Sequence, residues 1–384
     1  MIVRDSSSRF INVSSFTHEE SCTYSQRGGI DPTHLDKISK PLKDVTKDDV
    51  LRIEPMTPWQ EFCCIAFLSF VGPGSIIIIP LLTALIGYFV AGDVVLAFRT
   101  VAIALSPFIF LSQAFSPKAL QSWITHMMYK YFSYRIIFGE GTTLTIQEDV
   151  GRLIEATEKA RPQIFVAPPH GVYPYGSILT ILIWPVLTGH HLFGLSASAA
   201  LRVPIMRQVL QAIGCIHAGR RYARHALEHW PYTIGISTGG VAEVFETNSK
   251  DACILLKERI GLIKLAIRTG ADLVPVYTFG NTELLSCWLG EGVPHGRQTM
   301  EWFSRKVLGF AAIPIFGRFL IPIPHRKPVL CVFGNAIPTY QMQSEDPTTE
   351  QVHQVQELLI RGMQATFDKY KALYGAEDAK LIIK

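Results

Sequence analysis

The sequence predicts an α/β domain preceded by a hydrophobic helical hairpin in a membrane, and three observations predict it. From about Leu144 onward, short β-rich runs alternate with amphipathic helical segments, the pattern of an α/β domain. Upstream, 31 consecutive uncharged residues separate Glu61 from Asp93, and a second uncharged stretch of 18 runs from Thr100 to Pro117. The chain of 384 residues is 48% apolar and only 18% charged, with a mean hydropathy of +0.23. That composition leans toward membrane and excludes a disordered polar polymer. A net charge of +4, from 36 basic and 32 acidic residues, leaves no nucleic-acid footprint but suits a surface resting on anionic lipid. Seven cysteines without a C-x-x-C pair argue against a disulfide framework and a structural zinc site, so reduced thiols facing the cytosol and no metal are expected.

In chain order, residues 1–55 are rich in Ser, Thr, Asp and Lys and show no sustained apolar period. They are expected to form a polar, disordered arm, and no apolar signal segment is visible near Met1. Residues 60–117 read as the membrane-embedded hairpin. Gly72-Pro73-Gly74 should kink the first stretch, and Gly92-Asp93 offers the turn before the second. Eight Lys or Arg precede the hairpin and only Arg99 lies between its stretches, which places both flanks in the cytosol. Trp59 and Trp123 bracket it as interfacial anchors. Residues 118–384 form the α/β domain, with strands read at Gln163–Ala167, Tyr232–Ile236, Ala252–Leu256, Leu273–Tyr277 and Val329–Phe333. No repeat and no glycine-rich phosphate loop of dinucleotide or Walker type is present.

Several of these runs end at residues that can carry chemistry, where open α/β sheets place their sites. The first runs into Pro168-Pro169-His170-Gly171 ahead of an apolar helical segment from Ser177 to Ile183. An imidazole there can serve as a general base, and amides near Gly171 at the helix start can stabilise an oxyanion. A second strand leads into Gly235-Ile236-Ser237-Thr238-Gly239-Gly240-Val241-Ala242-Glu243. Glu243 on the first helical turn can reach a neighbouring strand end and orient His170 through Nδ1, with Gly239 and Gly240 making the turn. The same stretch holds Gly235-x-Ser237-x-Gly239, which fits the elbow of a serine hydrolase, so Ser237 competes as a nucleophile. A third stretch, Lys257 to Gly270, reads as a helix closed by glycine. Lys257, Arg259 and Lys264 on it can hold phosphates of a nucleotide-bearing substrate. Arg220, Arg221 and Arg224 form another basic cluster, suited to phosphates or to lipid headgroups.

Together these stretches resemble the diacylglycerol acyltransferase type 2 family, which includes monoacylglycerol and wax-alcohol acyltransferases. The resemblance runs from the hairpin through Pro169-His170-Gly171, Pro204-x-x-Arg207 with Gly214, and Gly239-Gly240-x-x-Glu243. It continues through Arg259-x-Gly261-x-x-Lys264-Leu265-Ala266-x-x-x-Gly270-Ala271-Asp272-Leu273-Val274-Pro275 and Phe279-Gly280 to Pro324-His325-Arg326-Lys327-Pro328 and Phe333-Gly334. The chain departs from the family at three points. Pro168 replaces the first His of a frequent His-Pro-His-Gly, Thr238 replaces a Pro before the glycine pair, and Ala336 replaces a Pro near the last strand.

The resemblance implies a glycerolipid-acyltransferase-like α/β domain at the endoplasmic reticulum membrane, with both termini cytosolic and lipid-droplet association left open. It implies transfer of a fatty acyl group from acyl-CoA to the hydroxyl of diacylglycerol, giving triacylglycerol. In that reaction His170 is the general base, Glu243 holds its ring and the turns at Gly171, Gly239 and Gly240 flank the oxyanion. No cofactor is implied, since acyl-CoA is a substrate. Expected partners are acyl-CoA, diacylglycerol and membrane lipid, with no nucleic acid, and a homo-oligomer is compatible. The usual His-x-x-x-x-Asp pairing of glycerolipid acyltransferases is missing, because Tyr175 stands five residues after His170. The alternatives are a membrane-anchored serine esterase using Ser237, a monoacylglycerol or wax-alcohol acyltransferase of the same family, and a lipid-binding surface protein without turnover.

Overall fold

The computed structural model describes residues 9–15, 18–20, 23, 39–72, 74–111, 113–120, 122–138, 162–229, 233–246, 252–287, 294–308 and 313–384. The start of the α/β pattern at Leu144, together with Pro73 and Tyr232, lies outside them. The described strands are β1 (Arg9–Asn12), β2 (Ser39–Pro41), β3 (Arg135–Phe138), β4 (Gln163–Val166), β5 (Leu192–Ser196), β6 (Cys215–His217), β7 (Thr233–Ile236), β8 (Ala252–Ile254), β9 (Asp272–Phe279), β10 (Ser286–Cys287), β11 (Ile315–Phe316), β12 (Leu330–Phe333) and β13 (Leu381–Ile383).

Nine of them form one mixed sheet in the order β2-β1-β3-β12-β9-β4-β7-β5-β6. The block β9-β4-β7-β5-β6 is parallel throughout, and β12 joins it antiparallel to β9. Alternation along the strands sends side chains to two separate cores, as a period of two requires. Phe165, Cys331 and Phe333 pack on one face with the helices Pro58–Val71, Trp123–Tyr131 and Tyr175–Thr188. Ile164, Val166, Leu330 and Val332 pack on the other with the helices Arg220–His229, Ile260–Thr269 and Thr349–Tyr374. The result is a helix–sheet–helix sandwich, a mixed α/β architecture. The sequence reading names none of β3, β5 and β6 in this sheet, runs of only 4, 5 and 3 residues, too short for their period to stand out. The expected strand at Ala252–Leu256 is shorter, and it pairs with β13 outside the main sheet.

The arm expected to be disordered over residues 1–55 is ordered wherever it is described. Arg9–Asn12 pairs antiparallel with β3, and Ser39–Pro41 pairs with β1. Ile11 and Val13 are completely buried. A polar composition hid this, because the few apolar residues that matter are spent on a sheet edge supplied by residues 135–138, which local periodicity does not reveal.

The hairpin region also departs from expectation. The first uncharged stretch is not one helix but two, Pro58–Val71 and Gly74–Ile86. The first starts at a capping box on Thr57 and Gln60, with Pro58 in its first turn. A π-helical turn over Gly87–Ala91 and left-handed Gly92 then lead to Asp93, whose carboxylate caps Val94–Phe110. At 1.5 Å per residue these helices of 14, 13 and 17 residues reach roughly 21, 20 and 26 Å, short of a hydrocarbon core of about 30 Å. No helix among the described residues is long and apolar enough to cross a membrane. Gly87 lets the last two helices close on each other, since a Cβ there would lie 2.6 Å from the Ala97 Cβ. Large apolar side chains remain exposed on them, among them Phe89, Val90, Val95 and Ile103.

The ordered arm has a measurable consequence. Ile11→Ala is expected to lower stability by about 2–5 kcal/mol, the usual cost of emptying a buried aliphatic site, read as a shifted denaturant midpoint. An unchanged midpoint would mean that β1 contributes nothing.

Candidate active site

β4 delivers its chain into Ala167-Pro168-Pro169-His170, with a cis peptide between the two prolines, and the loop then turns at Gly171 into the helix Tyr175–Thr188. Gly171 takes φ +59°, in the left-handed region open to glycine. A Cβ there would also meet the Asn281 amide at 2.9 Å. His170 is half-buried, and its Nδ1 lies 2.8 Å from the Gly171 carbonyl oxygen. A carbonyl only accepts, so Nδ1 carries the proton and Nε2 is the basic nitrogen. Burial lowers the imidazole pKa, against a smaller opposing effect of the Gly171 carbonyl, which keeps the ring neutral at neutral pH.

Glu243 stands on the first turn of the helix Gly240–Glu246, completely buried. It does not reach the His170 ring as expected. Its Oε2 accepts from the backbone N–H of His170, and its Oε1 accepts from the N–H of Leu255 at 3.0 Å. The carboxylate therefore positions the loop, while the ring is oriented by the Gly171 carbonyl. The helix that follows β7 brings Glu243 to the main chain at the end of β4, the strand paired with β7. Gly239 makes room for it, since a Cβ there would lie 2.1 Å from the carboxyl carbon of Glu243. Burial pushes the Glu243 pKa up to about 7, despite lowering by the two amide hydrogen bonds and by Arg259. A carboxyl raised above its usual 4.5 binds protons more tightly folded than unfolded, so it weakens folding progressively as pH rises from about 4.5 to about 7.

A residue absent from the sequence reading clamps the same loop from the opposite side. Asn281, just beyond β9 and 2% exposed, donates through Nδ2 to the carbonyls of Pro169 at 3.2 Å and His170 at 2.9 Å. Its Oδ1 accepts from the N–H of Gly176 at 3.0 Å. The signal was its place directly after Phe279-Gly280 at a strand end. The N–H of Tyr175 bonds the Tyr173 carbonyl, so the amides of Tyr175 and Gly176 are both engaged within this loop and helix start.

A cavity of about 530 Å³ opens beside His170, within the usual range for small-molecule sites. Ser237, Thr238, Gly239, Gly240 and Arg259 line its polar end, and the remainder is largely aliphatic. Of the three basic residues expected to act together, only Arg259 is at this cavity. It donates to the Gly239 carbonyl at 3.3 Å, and its Nε is buried without a hydrogen-bond partner among the described residues. Lys257 lies two residues ahead of the Arg259 cap, at a separate surface depression with Arg361 and Asp368. Lys264 is on the helix Ile260–Thr269 and does not line the cavity. Arg224 is committed to Glu228 and to a two-pronged pair with Glu345, while Arg220 and Arg221 are exposed, two and three residues beyond Ala218 at the cavity wall.

The serine elbow is not assembled. Gly235 lies inside β7 rather than at a turn, and the Ser237 hydroxyl donates to the Ala167 carbonyl at 3.0 Å and contacts the Ser177 hydroxyl at 2.8 Å. A Ser–His contact does occur elsewhere, Ser198 Oγ to His217 Nε2 at 2.7 Å. There the Gly219 N–H donates to Nδ1 at 2.8 Å, so Nε2 carries the proton and cannot take one from the serine. Among the described residues no group of three His, Cys, Asp or Glu side chains could hold a metal ion. The Asn281 clamp is expected to be worth about 1–3 kcal/mol: Asn281→Ala should lower the denaturant midpoint accordingly, because it strands two buried carbonyls and one amide.

Residues 152–384 match the family described as diacylglycerol acyltransferase. The chain is 32% identical over 194 residues to diacylglycerol O-acyltransferase 2B of Umbelopsis ramanniana, covering 48% of this chain and 55% of that protein. It is 26% identical over 232 residues to acyl-CoA wax alcohol acyltransferase 1 of Mus musculus, covering 56% and 68%, and 27% identical over 235 residues to diacylglycerol O-acyltransferase 2 of Homo sapiens, covering 58% and 60%. The chain thus spans from about half to two thirds of the length of these relatives. Among solved structures, the 1-acyl-sn-glycerophosphate acyltransferase PlsC of Thermotoga maritima aligns with 81% of this chain and 98% of its own, at 16% identity and a TM-score of 0.37, a likeness too remote to bear on the site. The family match covers more than half of the sequence and takes in His170, Glu243, Arg259 and Asn281: the chain belongs to the diacylglycerol acyltransferase family.

Proposed function

We propose that the protein transfers a fatty acyl group from acyl-CoA to the free hydroxyl of diacylglycerol, forming triacylglycerol, with His170 as general base. The observation that carries this reading is the His170 tautomer. With Nδ1 committed to the Gly171 carbonyl, the lone pair sits on Nε2 of a ring that borders the cavity. The acceptor hydroxyl attacks the thioester carbonyl while Nε2 takes its proton. Collapse of the tetrahedral intermediate breaks the C–S bond, and the imidazolium returns the proton to the departing CoA thiolate. The unpaired Nε of Arg259 supports a role in holding anionic atoms at the polar end, whether CoA phosphate or the developing oxyanion. Glu243 and Asn281 act through the backbone of the His170 loop. A domain of glycerolipid-acyltransferase type fits this arrangement.

The exposed apolar faces of Gly74–Ile86 and Val94–Phe110 support insertion into one leaflet of the endoplasmic reticulum membrane without crossing it, with both flanks on the cytosolic side. Shallow insertion also suits the monolayer of a lipid droplet. At that depth, diacylglycerol and the acyl chain approach from lipid while CoA stays in water.

The test uses membranes from cells lacking their own triacylglycerol synthesis, carrying this chain, with labelled acyl-CoA and a panel of diacylglycerol, monoacylglycerol and long-chain alcohol. Labelled triacylglycerol is expected, falling about 10²–10⁴-fold in His170→Ala and persisting in Ser237→Ala. Loss in Ser237→Ala with survival in His170→Ala would establish the esterase chemistry instead. The rate is also expected to rise as pH passes through about 7, where Glu243 ionises and becomes the stronger acceptor for the His170 amide. Glu243→Gln should remove that limb from the pH profile and lower kcat/KM by about 10- to 100-fold.

A further inference from the structure

Two glycines that the chemistry above leaves unused lie side by side on adjacent strands of the sheet. Gly194 of β5 is registered opposite Gly235 of β7, with Phe165 next to Gly235 on one side and Cys215 next to Gly194 on the other. All four line the cavity. Glycine inside a strand is unfavourable, since it costs chain entropy and supplies no packing. Neither glycine has a positive φ, so backbone conformation does not call for them. Space does. A Cβ on Gly235 would find only the Leu192 Cδ1 within 4 Å, at 3.6 Å, and would stand in the lumen. A Cβ on Gly194 would lie 2.4 Å from the Ile181 Cδ1 and 3.1 Å from the Cys215 Sγ, pushing Ile181, itself a lining residue, into the lumen.

We propose that Gly194 and Gly235 form the floor of the channel that holds the tail of the transferred acyl chain, and that this side-chain-free trough sets the chain length and bulk the site accepts. The inference rests on the acyltransferase reading. His170, Ser237 and Arg259 mark the polar end, at the carboxyl ends of the strands. From there Ser196, Gly194 and Leu192 face the cavity in turn along β5, a run of roughly 13 Å at about 3.3 Å per residue. The helix Tyr175–Thr188 roofs that run with Ile178 and Ile181. A thioester held at His170 therefore has an apolar path for its tail, down the sheet face across the two glycines.

The test compares octanoyl-CoA, palmitoyl-CoA and oleoyl-CoA as donors. Gly235→Leu is expected to lower kcat/KM for oleoyl-CoA about 10-fold or more relative to octanoyl-CoA, since misfitting methylenes in an apolar pocket are worth 10- to 200-fold. Gly235→Ala should shift the ratio in the same direction by less, and it meets only an ordinary contact, so it decides the matter if Gly235→Leu does not fold. Gly194→Ala should also disfavour the long donors, and adding Ile181→Ala should restore them. An unchanged donor ratio in the Gly235 variants, or equal loss with every donor, overturns the proposal. If the native chain esterifies no acceptor, the acyltransferase reading fails, and displacement of bound cis-parinaric acid decides the trough separately. Oleic acid displacing the probe from the native chain while Gly235→Leu no longer binds it would support the trough, and equal binding by both would overturn it.

Discussion

The site depends on one buried carboxyl group. Glu243 sits beneath the His170 loop and accepts hydrogen bonds from two backbone amides, those of His170 and Leu255. It thereby ties three pieces of chain together: the end of β4, the helix after β7, and the segment leading to Arg259. A carboxylate sealed from water is costly unless its oxygens are satisfied, and here main-chain donors satisfy it while leaving the imidazole free. Gly239 follows from that choice, since any side chain there would occupy the volume of the carboxyl group. Asn281 completes the clamp from the β9 side. The loop is thus gripped from both neighbouring strands, and the histidine ring needs only its own Gly171 carbonyl to select the working tautomer.

The apolar helices are anchored to this domain by a second set of charges. Glu61, in the first turn of Pro58–Val71, pairs with Arg318 and Arg326. Buried Arg135 of β3 donates to the Arg52 carbonyl and pairs with Glu54 at 3.4 Å. These contacts fix the root of the hairpin to the same sheet that carries His170. The exposed apolar helices thus follow directly on a helix that is tied to the domain holding the cavity.

The sheet serves the site in two ways. Its carboxyl-terminal edge supplies the loops with His170, Ser237 and Asn281, the usual location in parallel α/β sheets. Its face supplies the apolar cavity, because two adjacent strands place glycine at the same level. Gly235 illustrates how local pattern misleads. Within Gly-x-Ser-x-Gly it resembles a nucleophile elbow, yet in the structure it is an interior strand residue whose missing side chain opens space.

The amino-acid sequence alone determined the α/β class, the strand end at Ile236 and, to within one or two residues, those at Val166 and Phe279, the breaks at Gly72 and Gly92, and the placing of His170 and Glu243 at the ends of neighbouring strands. These are local properties: hydrophobic period, glycine stops and chemistry-bearing side chains at the ends of apolar runs. Tertiary structure decided which atoms meet. It routed Glu243 to a backbone amide instead of an imidazole, recruited Asn281 from 111 residues away, left Lys257 and Lys264 outside the cavity, and drew Arg9–Asn12 into the sheet. It also cut the apolar stretch into helices too short to span a bilayer. Each of these outcomes rests on strand order and register between distant segments, and no pattern within a single segment encodes which neighbour it will find.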